Sequence, residues 1–206
     1  MVRLVIETAT AACSVALIGD DGGVIAEAHE AVGRGHAERL LPMIAGLPDG
    51  GRADAIVVGC GPGSFTGVRV GIAAARALGL GWGIPVAGYP TLALIAAPRL
   101  VDARTPEVLA VAMVGGHGQL FVQRFAGSPL RPLDDLASLT PEDAARAVAD
   151  AVIVGSGAAA LVAARGNGEA VDALPRAADL LLLPPAFTAL PPSPIYGRPP
   201  DAKPQS

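Results

Sequence analysis

Apolar positions along this chain fall into two rhythms, short unbroken or alternating stretches of strand length and longer stretches at helical spacing. The stretch from Val2 to Glu7 predicts a strand, "CSVALIG" (13–19) a second and "GVIAEAHE" (23–30) a third, with Asp20, Asp21, Gly22 and Gly23 supplying the turn between the last two. These form an antiparallel meander. In "GHAERLLPMIAGL" (35–47), Leu40, Ile44 and Leu47 share one helical stripe, and Pro42 is expected in the first turn or at a kink. "ADAIVVGC" (53–60) reads as a short buried strand. "GPGSFTGVRVGIAAARALGLG" (61–81) follows as a glycine-rich turn and a nearly apolar helix, and "IPVAG" (84–88) as a further strand.

After "APRLVDARTP" (97–106), a charged and proline-marked lobe boundary, the order begins again. "EVLAVAMV" (107–114) and "GQLFVQRFA" (118–126) predict paired strands around a turn at Gly115, Gly116, His117 and Gly118. "TPEDAARAVAD" (140–150) predicts a helix with Thr140 as N-cap, Pro141 in its first turn and Asp143 closing a capping box. A strand at 151–155 and a helix at 156–166 complete the second half. The chain thus reads as a duplicated α/β protein of two lobes, 1–100 and 101–206, each a mixed sheet with helices, without a residue-level repeat. Its end, "LPPSPIYGRPPDAKPQS", is too rich in proline for a helix and predicts an extended tail.

The long helix carries a distinct pattern. Gly67, Gly71, Ala75 and Gly79 recur every four residues and make a small-residue ridge that another helix could approach closely. Glycine inside a helix costs about 1 kcal/mol relative to alanine, so three on one ridge need a packing reason. Val68 and Ile72 flank the ridge, and only Arg69 and Arg76 are clearly polar. A helix apolar nearly all round is packed on more than one side. The ridge with Val68 and Ile72, joined by His36, Leu40 and Ile44 of the preceding helix, is therefore the expected partner interface. An intramolecular core is the alternative.

Composition narrows the class. With 51% hydrophobic residues, 17% charged and 3% aromatic, the core must be built from Ala, Val, Leu and Ile. A net charge of -4 and the lack of a Lys/Arg run or stacking aromatics exclude independent tight binding of nucleic acid, so any RNA contact is expected only through a partner. Cys13 and Cys60 show no metal or redox spacing and read as buried free thiols. No apolar segment has signal-peptide or membrane-spanning length, which predicts a cytoplasmic protein without a membrane partner.

Candidate chemistry is sparse. The 61–67 loop matches neither a phosphate-binding P-loop nor a dinucleotide fingerprint. Its turn can offer backbone N–H groups to a phosphate near Gly61 and Gly63, or can serve only to position the helix. His29, His36 and His117 form no ligand cluster and read as surface or turn residues. Ser64 lacks the register of a nucleophile elbow. Glu7 and Asp54 are strand-end carboxylates that could hold a hydrated metal ion, without further ligands. No catalytic residue, metal site or intrinsic cofactor is assigned.

"IETATAACSVAL", "HAERLLPMI", "GPGSFTGVRVGIAAARALGLGWGIPVAGYPTLALIA" and "PIYGRPPDAK" together resemble the TsaB (YeaZ) family of tRNA threonylcarbamoyladenosine biosynthesis proteins. The resemblance implies a two-lobed actin/Hsp70/sugar-kinase-like fold. It further implies a non-catalytic subunit that activates a TsaD-like enzyme and works with a TsaE-like ATPase, with ATP or ADP entering only in that complex and a homodimer forming when the chain is alone. In TsaD relatives a metal-binding histidine pair aligns with Thr91 and Ile95, which cannot form that site. The chain departs from the family pattern at Glu7, usually Asp, and at Val114 and Gln119, usually acidic. A peptidase or small-molecule kinase of the same fold, and a self-associating structural protein, are the competing classes.

Overall fold

The computed structural model describes residues 1–101 and 107–197. Strands β1 (Arg3–Glu7), β2 (Ala12–Ile18), β3 (Val24–Ala31), β4 (Ala55–Gly59) and β5 (Val86–Tyr89) form one sheet in the order β3-β2-β1-β4-β5. The first three are antiparallel, and β4 and β5 run parallel to β1. Alternation along these strands sets two faces. Leu4, Ile6, Val15, Leu17, Ile56 and Val58 face α1 (His36–Ala45) and α2 (Phe65–Trp82), whereas Val5, Ala16, Ile18 and Val57 face α3 (Thr91–Leu100).

The second half repeats this plan. Strands β6 (Val108–Val114), β7 (Leu120–Ala126), β8 (Arg131–Pro132), β9 (Ala137–Leu139), β10 (Val152–Val154) and β11 (Glu169–Val171) form a sheet ordered β11-β10-β6-β7-β8, with β9 also paired to β7. Here β6 stands for β1, β7 for β2, the broken pair β8 and β9 for β3, and β10 and β11 for β4 and β5. Helices α4 (Pro141–Ala147) and α5 (Ala158–Arg165) cover the outer face through Ala144, Ala158 and Leu161. The inner faces of both sheets meet across α3 and the 3-10 turn Ala177–Leu182 in a single core.

Several expectations need correction. "TLALIAAPRL" is a helix whose last turn takes in 97–100 of the expected boundary; residues 91–97 are all buried, leaving no polar face to mark a period. The rest of the expected boundary, 102–106, lies outside the described residues. Pro42 sits beyond the first turn of α1, where it removes one backbone donor from the helix interior. Thr140 caps α4 by accepting the Asp143 N–H (3.1 Å), but Asp143 Oδ2 accepts from the Thr140 hydroxyl (3.0 Å) rather than closing the box on its backbone. That helix ends at Ala147, since Val148 is extended. Residues 190–197 form no helix, as expected, and 198–206 lie outside the described residues.

The larger correction concerns the ridge on α2, which faces this chain's own sheet. A Cβ at Gly67 would collide with the Thr8 carbonyl oxygen, one at Gly71 with Thr8 Oγ1, and one at Gly79 with the Val86 side chain. Thr8 Oγ1 also donates to the Gly67 carbonyl at 2.7 Å. Val68, Ile72 and Ala75, and from α1 His36, Leu40 and Ile44, are buried in the same layer. All nine residues expected at a partner interface are interior. The packing reason for the glycines is close approach to the sheet, at the end of β1 for Gly67 and Gly71 and at Val86 of β5 for Gly79.

Gly67→Ala should therefore destabilise the isolated chain by roughly 1 to 3 kcal/mol, because a backbone carbonyl must move. Gly81→Ala, at a helical site with open space around it, should be neutral or stabilising by up to about 1 kcal/mol. Thermal unfolding of the two variants checks both. An unchanged melting temperature for Gly67→Ala would contradict the inward orientation.

Candidate functional site

A sealed carboxylate and a cleft between the lobes lie around the N-terminal end of α2, and an uncovered face runs along that helix. Glu7 ends β1 and is fully buried. Its Oε1 accepts the Ala9 N–H at 2.7 Å and its Oε2 accepts the Thr91 hydroxyl at 3.0 Å. Gly59 packs so tightly on the carboxylate that a Cβ there would overlap Oε2. Burial raises the Glu7 pKa from the ordinary 4.5 to about 6, against the lowering effect of its hydrogen bonds. Asp54 precedes β4, at the opposite end of the parallel pair, where it accepts the Val2 N–H at 2.6 Å. Five residues of strand, roughly 15 Å, separate the two carboxylates, so they do not share a metal site. Among the described residues no cluster of three His, Cys, Asp or Glu side chains could hold a metal ion.

The loop glycines also have packing roles. Gly63 lies against the Ala9 backbone, where any Cβ would overlap the carbonyl oxygen, and the Ser64 N–H donates to that same oxygen at 2.7 Å. Gly61 adopts φ +88, a conformation glycine favours, and its carbonyl accepts the Thr91 N–H at 2.9 Å. These contacts favour the positioning role over the phosphate cradle. Ser64 is the α2 N-cap, its Oγ accepting the Gly67 N–H at 3.2 Å.

The histidines are dispersed. His29 is exposed on β3, and His117 sits in the β6–β7 turn at φ +60. His36 is buried, and its Nε2 donates to the Ala12 carbonyl at 3.2 Å, a packing role that its neighbours in sequence do not betray. Cys13 and Cys60 are buried and free, each with its pKa pushed by burial to about 11.

The cleft between the lobes has a volume of about 960 Å³. The N-terminal turn of α2, the β6–β7 turn and residues 194–197 line it. A strap formed by residues 184–197 closes one side. Gly88 and Leu190 exchange backbone hydrogen bonds at 2.7 and 3.1 Å, the Ile195 N–H donates to the Cys60 carbonyl at 2.8 Å, and Gly197 reaches the Phe121 ring of the second sheet. Arg76 Nη2 donates to the Pro192 carbonyl at 2.7 Å and Arg69 Nη2 to the Tyr196 hydroxyl at 3.2 Å. Val114 is exposed on the cleft wall, and the side-chain oxygen of Gln119 accepts the Ser138 hydroxyl at 2.7 Å.

The outward face of α2 carries exposed Thr66, Ala73, Ala77, Leu80 and Gly81, with exposed Arg69 and Arg76 along one edge bonded to the strap. Leu80 is 87% exposed, and Leu41 on the neighbouring α1 is 53% exposed. Periodicity alone did not separate this stripe from the inward ridge. Both are made of small and apolar residues, and only the collision pattern at the glycines tells them apart.

Two sheets of the same strand order, joined through a common core with a cleft between them, define the actin/Hsp70/sugar-kinase-like class. A family model for TsaD, tRNA N6-adenosine threonylcarbamoyltransferase, matches residues 12–177. The chain is 45% identical over 121 residues to the tRNA threonylcarbamoyladenosine biosynthesis protein TsaB of Escherichia coli, a match covering 51% of this chain and 52% of that protein. The match to this curated relative thus spans about half of its length. Among solved structures it is similar to YeaZ from Pseudomonas aeruginosa, with a TM-score of 0.74 and 32% identity over 88% of this chain and 89% of the other. It is also similar to a second Pseudomonas aeruginosa protein, named for its similarity to peptidase YeaZ, with a TM-score of 0.77 and 30% identity over 96% and 99%. The chain belongs to the TsaB/YeaZ family. Among the described residues no helix is long and apolar enough to cross a membrane.

The raised Glu7 pKa sets a direction for stability. A carboxyl that titrates near 6 when folded and near 4.5 when unfolded favours folding most below 4.5, and the folded chain loses that advantage as pH rises through 6. Glu7→Gln, which keeps an acceptor for Ala9, should flatten this window and gain roughly 2 kcal/mol on the native chain between pH 4 and 7. Denaturant unfolding of both chains across that range checks it. Parallel profiles would contradict a buried, titrating Glu7.

Proposed function

We propose that this chain is a non-catalytic subunit that docks a TsaD-type enzyme and supports formation of N6-threonylcarbamoyladenosine on tRNA beside the anticodon. The observation that carries the reading is the stripe of small and apolar residues on the outward face of α2, Thr66, Ala73, Ala77, Leu80 and Gly81, beside exposed Leu41 of α1. Alanine and glycine there let a partner helix approach closely, while the two leucines supply apolar anchors. The interface is thus the outer surface of the helical layer, not the inward ridge. The same face serves a second copy of the chain when no TsaD-type subunit is present.

The non-catalytic role draws support from the strand end. Thr91 and Ile95 are buried on α3, where neither is a metal ligand facing a cavity, and Thr91 closes the hydrogen bonding of Glu7. Ser64 is engaged as a helix cap. A TsaE-type ATPase and tRNA join through the assembled complex, and ATP or ADP is handled there rather than by this chain alone.

Reconstitution from a TsaD-type subunit, a TsaE-type ATPase, threonylcarbamoyl adenylate and tRNA tests the proposal. Modified adenosine should form only when this chain is added. Equal product without it, or peptide hydrolysis by the chain alone, would overturn the reading. Ala77→Glu or Leu80→Glu should weaken association with the TsaD-type subunit by more than about tenfold, while unfolding shifts by less than about 0.5 kcal/mol. Sedimentation of the mixed subunits and thermal unfolding supply the two readouts.

A further inference from the structure

Of four Phe, two Tyr and one Trp in the chain, only Phe65 and Tyr196 are exposed, at 59% and 56%. They occupy the same place. Their ring centroids lie 6.3 Å apart at the mouth of the inter-lobe cleft, and the Arg69 guanidinium stands 3.5 Å from the Phe65 centroid while bonding the Tyr196 hydroxyl. Ordinary core formation does not call for two aromatic rings left half in water on a chain with so few.

The electrostatics of the cleft point the same way. Although the chain carries a net charge of -4, no Asp or Glu lines the cleft among the described residues, while Arg69 and His117 do. Arg34, exposed, follows the lining residue Gly33. The walls behind the aromatic mouth are apolar, through Val68, Met113, Phe121 and Ile195. An aromatic and arginine lip, an apolar interior and the absence of carboxylates among the described lining residues fit a planar base joined to an anion.

We propose that this lip receives an unstacked nucleotide of single-stranded RNA, its base stacking on Phe65 and Tyr196 and its phosphate facing Arg69. The proposal rests on the RNA-modifying role above and adds a direct RNA contact to it. One stacking site in an acidic chain gives weak binding alone and positions RNA once the complex has captured it. Arg69 lies on the flank of α2, so the RNA site adjoins the docking face without sharing its outward stripe. The shared chemistry, a nucleobase bearing a phosphate, is also that of free AMP, and the test separates the two sources.

A short single-stranded RNA bearing 5-iodouridine, irradiated with the chain alone and with the chain in its TsaD-type complex, should crosslink at Phe65 or Tyr196. Phe65→Ala and Tyr196→Ala should each lower RNA affinity by roughly tenfold. Tyr196→Phe keeps the ring but loses the bond to Arg69, and should stay within about twofold. Association with the TsaD-type subunit and the melting temperature should not move in Phe65→Ala, which leaves the Arg69–Tyr196 bond in place. Crosslinks mapping elsewhere would overturn the proposal. Equal loss in Tyr196→Phe and Tyr196→Ala would do so too, since it would mark the cluster as a mere clamp on the strap. AMP that competes as well as the RNA, base for base, would assign the lip to a free nucleotide and overturn the RNA assignment. Failure to join the TsaD-type subunit with crosslinking intact would instead count against the docking reading and leave this site standing.

Discussion

The contact between α2 and the end of β1 governs the arrangement of everything around it. Thr8 presses its carbonyl and hydroxyl against the backbone of α2 where Gly67 and Gly71 lack side chains, and returns a hydrogen bond to the Gly67 carbonyl. Any side chain at Gly67 would lift the helix from the sheet. Because the helix lies so low, its first turn becomes a wall of the cleft, its flank meets the strap and its far side stays uncovered. Function in this lobe follows from where α2 can sit.

The strap and the sealed carboxylate depend on the same geometry. Arg69 and Arg76 project from the flank of α2 onto Tyr196 and Pro192, so the only charges on that helix are engaged by this chain. That leaves an apolar stripe facing outward. At the other end of the contact, the turn after β1 folds back so that Glu7 receives the Ala9 N–H, with Thr91 and Gly59 completing its enclosure. A carboxylate held in this way cannot also reach into the cleft. The two lobes share a strand order, yet only the first combines a long apolar helix with a strap, and the proposed surfaces lie there.

Much of this plan was legible in the sequence. The meander, the long helix and the repeated order of elements followed from hydrophobic spacing and turn residues, and the quoted motifs identified the family. The orientation of α2 was not legible, because a four-residue spacing of small residues describes a close approach without saying what approaches. The neighbour proved to be Thr8, distant in sequence. Helix α3 was hidden by the burial of its first seven residues, and β11 by its short, flanking-glycine context at Glu169–Val171. The aromatic lip was invisible for a related reason: Phe65 and Tyr196 are 131 positions apart and meet only when the strap crosses the helix.

In the proposed complex the outer surface of the α1–α2 layer, not its glycine ridge, meets the partner. Hydrogen exchange on this chain, free and bound to a TsaD-type subunit, tests it most directly. Added protection is expected in 37–45 and 66–81, with the strands of the second sheet unchanged. Protection confined to the second lobe, with α1 and α2 exchanging as in the free chain, would contradict it.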